Sequence, residues 1–518
     1  MVVMSGQAQS WLDYDQALSP WAWLRTTNPA ALTTYAPDDS TLRLLADARV
    51  GITTGQGHLA PLSVAPDSWQ VDAAVRSIAR MSHRVVLCGG MDYTNLWGHD
   101  AAGSVWLVPD DMPFDITETT DSTRGNLSIE HYGINGEVGV LVGSGVSLGA
   151  RFAYATASGA KRKDPRHTGT RMQMDVSVGA LWRSGNVSLG ANYLLRRTTE
   201  ALQFSTYGRT DRVYDYLIDQ GAFFGRDEQS DSKGYVGTDY EKPWLDMRHG
   251  VALQLGYDHG SCSAGIEGQW LHRHGHYGLE SPSLLDFNRH HGDEWHLTAW
   301  LQHATVSDLY RLTAHWNRQD INDDERTYRI VTQDGITQVN YYDDWRLGER
   351  RVDDFTIVAD AQWGIDRALA TWQAQASVSH KRRTLTASLY PYYRQQLARL
   401  TDVTLTGRRN WLTRNDHTWS LTLTAGWAGG GGTPCHDGAY TDTQDAAPVS
   451  DHTLLLMRQY EWFTADRLHM GITLRWSMPV GKFRPYAEAA WRYCHALDID
   501  YLQDSHRHTA TLAVGCQF

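Results

Sequence analysis

Long apolar runs are missing from this chain. Nowhere do the roughly 18 consecutive apolar residues of a membrane-crossing helix occur, and mean hydropathy is -0.46. A basic surplus is missing too: 47 Lys and Arg stand against 59 Asp and Glu, for a net charge of -12. That excludes a nucleic-acid binder, which carries a basic footprint. Cysteine is scarce. The five present, Cys88, Cys262, Cys435, Cys494 and Cys516, form no C-x-x-C pair and suggest neither a zinc ribbon nor a disulfide framework. Phenylalanine is scarce as well, at 10, whereas there are 21 Trp and 25 Tyr. Those rings are apolar at one end and hydrogen-bonding at the other, as membrane interfaces favour. A membrane β-barrel accommodates all of this, because its wall alternates lipid-facing and lumen-facing residues and keeps a low average hydropathy.

From about residue 43 onward the same device recurs: some ten residues of strict alternation, then a turn. Met172, Met174, Val176, Val178, Ala180 and Trp182 alternate with Gln173, Asp175, Ser177, Gly179 and Leu181, and after the turn Ser184-Gly185-Asn186 comes another alternating run. Trp419, Leu421, Leu423, Ala425 and Trp427 form an apolar row with tryptophan at both ends. Short turns interleave with long polar stretches near 96–126, 158–169, 200–246, 275–293 and 319–351, read as external loops. The predicted fold is all-β: one antiparallel transmembrane β-barrel over residues 43–518, of about 18 strands (range 14 to 20), with short periplasmic turns and long extracellular loops. Thr453 to Phe463 would break the strand parity and is assigned to an extended external loop with Gly429 to Gly432. Gly6-Gln7-Ala8 reads as a cleavage site, so residues 1–9 are a signal-peptide remnant and the protein is exported. Residues 10–42 do not alternate and are read as a periplasmic N-terminal segment or plug.

The alternation assigns faces. Trp182, Trp270, Trp419, Trp427, Trp476 and Trp491 belong to a lipid-interface girdle. Asp175, Glu267, Asp360, Arg475, Arg484, Glu488 and Arg492 face the lumen, where they either set a transverse field that selects polar solutes or pair and fill the interior. His272, His274 and His276 share one strand face at a spacing that lets two imidazoles meet a zinc ion. The same register places them beyond Trp270, at the level of lipopolysaccharide phosphates, so no metal is assigned. Neither a nucleophile elbow nor a phosphate-binding loop stands out, so no enzyme and no cofactor are expected. The chain ends in mid-strand: Ala510, Leu512, Val514, Cys516 and Phe518 share a lipid face, and the last strand must pair with the first, because open edges are not tolerated in lipid. A terminal aromatic of this kind resembles the signal read by barrel-assembly machinery. Expected partners are that machinery, outer-membrane lipids and lipopolysaccharide, and another outer-membrane protein. The expected function is a porin-like or transport channel for a small solute, hydrophobic ones included. The alternative is a plugged structural or partner-docking barrel.

With "KDPR" (Lys163 to Arg166) in an external loop and the late stretch "RQYEWFTADRLHMGITLRW" (Arg458 to Trp476), the chain resembles an uncharacterised outer-membrane β-barrel family of Bacteroidota, a domain of unknown function. That resemblance implies a bacterial outer-membrane location and supplies no activity. "NPAAL" (Asn28 to Leu32) is similar to the N-terminal motif of fatty-acid-transporter barrels, whose N-terminus plugs the lumen. The residues themselves read more readily as an Asn-Pro turn leading into a helical turn.

Overall fold

The computed structural model describes residues 14–37, 43–208, 212–230, 234–238, 240–281, 284–334, 336–366, 369–442 and 451–518. The proposed signal-peptide remnant and cleavage site lie outside these residues. In chain order the strands are β1 (Leu44–Gln56), β2 (Asp67–Arg80), β3 (Val85–Ala101), β4 (Asp115–Glu118), β5 (Gly125–Gly143), β6 (Val146–Lys161) and β7 (Arg166–Ser184). They continue with β8 (Val187–Ser205), β9 (Asp215–Asp219), β10 (Gly225–Gln229), β11 (Lys242–His259), β12 (Cys262–Ser281), β13 (Leu284–Ala304) and β14 (Asp308–Gln333). The last seven are β15 (Ile336–Trp363), β16 (Trp372–Leu389), β17 (Tyr392–Leu412), β18 (Thr418–Ala439), β19 (Arg467–Ser477), β20 (Arg484–Ala496) and β21 (His506–Gln517).

Eighteen of these form one sheet of antiparallel neighbours that closes between β1 and β21. Val50 lies opposite Val514 and Ile52 opposite Leu512 across the seam. Ala46 and Phe518 exchange backbone hydrogen bonds of 2.7 and 3.0 Å, so the final residue completes the ladder. Closure follows from composition and environment together: period-two sequences make strands, and a lipid-facing sheet cannot keep a free edge. The strand number expected from the sequence is the one observed.

Three polar stretches expected as loops are largely strand. β12 and β13 run up to Ser281 and from Leu284, and β14 and β15 continue to Gln333 and from Ile336 as a long ribbon. β6 and β7 likewise extend to Lys161 and from Arg166, into the stretch 158–169. Their polarity marks where the wall leaves lipid, not where it leaves the sheet. Gly429 to Gly432, expected in one loop with Thr453 to Phe463, belong to β18, while the stretch Thr453 to Phe463 does lie between β18 and β19, outside the wall, but is not extended. It forms the helix α2 (Thr453–Thr464). Leu456 and Phe463 are buried on one side of it, two turns apart, where period 3.6 brings them to one face. No helix among the described residues is long and apolar enough to cross a membrane.

Two further pieces lie against the inner wall. The first is the N-terminal segment, with helix α1 (Tyr14–Leu18) and 3-10 turns at Ala22–Arg25 and Pro29–Thr34. The second is a three-stranded sheet of β4, β9 and β10. Its apolar core joins Trp106, Phe114, Ile116, Tyr216, Ile218 and Tyr235 to inward-facing Trp244, Tyr277 and Phe287 of the wall.

Candidate functional site in the barrel lumen

Near the rim that carries the short turns, the N-terminal segment is tied to the wall through Asn28. Its Oδ1 accepts from Ala30 N at 3.0 Å, capping the turn Pro29–Thr34. Its Nδ2 donates to Ala180 O at 2.8 Å and Gln254 Oε1 at 3.0 Å. Beside it, Thr27 N donates to Glu267 Oε2 at 2.9 Å, and Thr33 Oγ1 shares a 2.7 Å hydrogen bond with Ser147 Oγ. The wall makes room with glycine. A Cβ on Gly149 would come within 2.3 Å of Ala30 N, and one on Gly179 within 2.3 Å of Asn28 Oδ1. On Gly256 it would come within 2.3 Å of the Trp23 ring. That ring meets Trp300 edge-on at 5.7 Å.

Toward the opposite rim, the segment between β3 and β5 is held by a charge network. Asp111 pairs with Arg171 at 2.6 Å and with Arg248. Arg248 and Arg273 share Asp246, at 2.8 and 2.6 Å, and His290 Nε2 meets Asp246 at 2.8 Å. Glu200 takes Arg171 at 3.0 Å and accepts from Leu107 N at 2.8 Å. Burial alone would raise the Asp111 carboxyl, but the Arg248, Arg273 and Arg171 guanidiniums overcome it and hold it well below the usual carboxylate range. In the inner sheet the opposite holds. Asp115 and Asp219 are register partners across β4 and β9. Burial, with a smaller part from mutual repulsion at Asp115, pushes Asp115 up to about 7, and burial pushes Asp219 up to about 6.

The filling is lopsided. Of the predicted lumen set, Glu267 is 3% exposed and engaged by the N-terminal segment and by Gln254 and Gln269. Arg484 is buried against Ser477, Thr418 and Asp416 O. Asp175 is paired with Arg196 at 2.5 Å. At 29% side-chain exposure, Asp175 is as open as the rest. Asp360, Arg475 and Glu488 are half-buried and Arg492 is exposed. A string of alternating charge spans five strands, β19 to β2: Arg475 lies opposite Glu488, and Arg49, on the far side of β21, reaches Glu488 at 3.7 Å and Asp72 at 3.2 Å. Toward the far rim, a cavity of about 470 Å³ lies between the inner sheet, β15 to β17 and α2. The charge network and the arginines of this cavity were missed in the sequence. Their only signal was register, since Arg273 alternates with His272 and His274 and so faces inward.

On the outer surface, Trp182, Trp419 and Trp476 stand toward the short-turn rim, and Trp270, Trp427 and Trp491 toward the other; Trp476 is half-buried and the other five are exposed. Trp419 and Trp427 are roughly 26 Å apart along their strand. His272 and His274 face outward with stacked rings 5.8 Å apart, His249 beside them, and His272 Nδ1 contacts Asp293 at 3.2 Å. His276 follows on the same face, half-buried. Among the described residues no three metal-ligating side chains converge.

A closed barrel with an exposed apolar band, short turns at one rim and long projections at the other defines an outer-membrane β-barrel protein. The chain belongs to DUF6850, a family of unknown function whose model matches residues 29–518. No curated protein matches it in sequence. Among solved structures it is similar to BauA, the ferric preacinetobactin receptor from Acinetobacter baumannii, at 8% identity and TM-score 0.40, covering 91% of this chain and 80% of that one. It is also similar to a FadL homologue of Pseudomonas aeruginosa, at 11% identity and TM-score 0.32, covering 99% and 96%. A deletion mutant of the monoaromatic hydrocarbon channel TodX matches at 12% identity and TM-score 0.31, covering 100% and 96%.

Proposed function

We propose that this protein is a gated outer-membrane channel for uptake of a small solute, without an enzymatic step. One observation carries the reading: the wall around Glu267 is sealed by internal segments, whereas Glu488, at 22% side-chain exposure, and its neighbours line an arc left more open. A barrel of this strand number is wide enough for an aqueous path. In this reading residues 14–37 act as a plug, and the alternating charges of Arg475, Glu488, Arg49 and Asp72 select among polar solutes. The proposed partners are lipopolysaccharide at the histidine rim and barrel-assembly machinery at Phe518. A Bacteroidota source belongs to the same proposal.

Single-channel conductance in planar bilayers tests the reading, with the full chain beside a variant lacking residues 14–37. The full chain is expected to be nearly silent and the deletion to conduct in steady steps, with R475Q and E488Q shifting its ion selectivity in opposite senses. A deletion that still migrates as a folded, heat-modifiable barrel yet passes no current overturns it. That outcome favours the docking reading, which the filling of the lumen from both ends supports, and copurification then becomes the measurement.

A further inference from the structure

The cavity beneath α2 holds cationic groups that the barrel itself does not neutralise. Arg350 on β15 and Arg383 on β16 are diagonal neighbours on the inward face, since Arg350 lies opposite Leu385 and Val352 opposite Arg383. Like charges at such positions repel. Among the described residues no carboxylate comes within ion-pair distance of either. Arg350 donates to Met112 O at 2.8 Å and Gln319 Oε1 at 3.3 Å, and Arg383 to Gln396 Oε1 at 3.1 Å. The Nε of each is shielded from solvent and has no hydrogen-bond partner. Buried donors of this kind are rare in native structures and call for a partner.

The carboxylates lining the same cavity do not supply one. Asp115 accepts from Ser104 Oγ at 2.6 Å and Ile116 N at 2.8 Å, and Asp219 from Gly221 N at 2.8 Å and Phe224 N at 3.2 Å. Asp110 lies along the cavity without closing to ion-pair distance. Lys381 adds a third cation, and α2 sets the Phe463 ring 4.7 Å from the Arg383 guanidinium and 5.8 Å from Lys381 Nζ. Trp462 and Phe114 add further aromatic lining. On the outer face at the same height, Arg351 and Arg382 are charged and exposed, which puts the cavity beyond the lipid band.

We propose that this cavity binds a small organic carboxylate, its two oxygens taken by Arg350 and Arg383 and its apolar body held against Phe463 and Trp462. The volume suits a ligand of one or two rings. A guanidinium presents parallel donors that match a carboxylate, and charge-assisted hydrogen bonds of this kind are about twice as strong as neutral ones. The proposal concerns binding and stands whether or not the lumen conducts.

Calorimetric titration of the full chain in detergent tests it, with benzoate, its uncharged analogue benzyl alcohol, and inorganic phosphate as probes. Benzoate is expected to bind at least about tenfold more tightly than either of the others. R350Q/R383Q is expected to abolish that preference while the barrel stays heat-modifiable and, freed of like-charge repulsion, melts no lower than the unaltered protein. Equal binding of benzoate and benzyl alcohol overturns the role of the guanidiniums, and this comparison needs no variant. Phosphate binding as tightly as benzoate overturns the organic class, and absence of benzoate binding overturns the site.

Discussion

At the residue scale, the lumen is governed by polar side chains whose partners lie far away in sequence. Asn28 is 1% exposed and joins a local cap to two wall strands at once. Removing it leaves Gln254 Oε1 without a donor it now has, a loss of about 1–3 kcal/mol in the seating of the segment. N28A is therefore expected to fold normally, to raise channel activity and to make the N-terminal segment protease-sensitive; unchanged conductance and cleavage would show that the segment is held elsewhere. Alternation was enough to place Glu267, Asp175 and Glu488 on one face. It was blind to what each would meet, since the period of a strand specifies a side and not a partner. Hence two residues of the same expected set, Glu267 and Glu488, end in opposite environments.

At the element scale, the inner sheet carries a titration of its own. Asp115 and Asp219 sit at about 7 and about 6, above the ordinary carboxylate value near 4. The folded sheet therefore binds protons more tightly than the unfolded segment. Its stability is greatest at low pH and is lost as pH rises through 6 to 7. Asp111 stays ionised down to well below pH 5, so its own ion pairs do not counteract this trend. Hydrogen exchange in 215–229, corrected for intrinsic rates, is expected to show stronger protection at pH 5 than at pH 8, and D115N to remove most of the difference. A flat profile would mean that the two carboxyls are better solvated than their burial implies. The polar stretches 275–293 and 319–351 belong to this scale as well. They were misread as loops because composition reports solvent exposure, whereas strand continuity depends on pairing with a neighbour.

At the scale of the whole molecule, closure joins residues more than 450 positions apart. The Phe518 ring is 46% exposed and meets Phe483 edge-on at 5.9 Å, while its backbone completes the seam with Ala46. Alanine at this position keeps the backbone bonds and removes only the ring. F518A is accordingly expected to lower the yield of heat-modifiable barrel in the outer membrane several-fold, with F518W close to the unaltered protein. Equal yields from all three would leave the ring without a part in assembly. The two internal pieces also act at this scale: where they touch the wall its inward side chains are packed like a protein core, and elsewhere charged side chains stay partly open.

The wall was legible in the sequence: its strand number, the alternation of its faces and the need for the last strand to find the first. These are set by short-range periodicity and by a solvent that tolerates no unpaired backbone. Only the tertiary structure decided what fills the barrel. Which charges are consumed by Asn28, Asp111 and their neighbours, and which remain open beside Arg350 and Arg383, depends on segments distant in sequence folding back into one lumen, and such contacts leave no period to read.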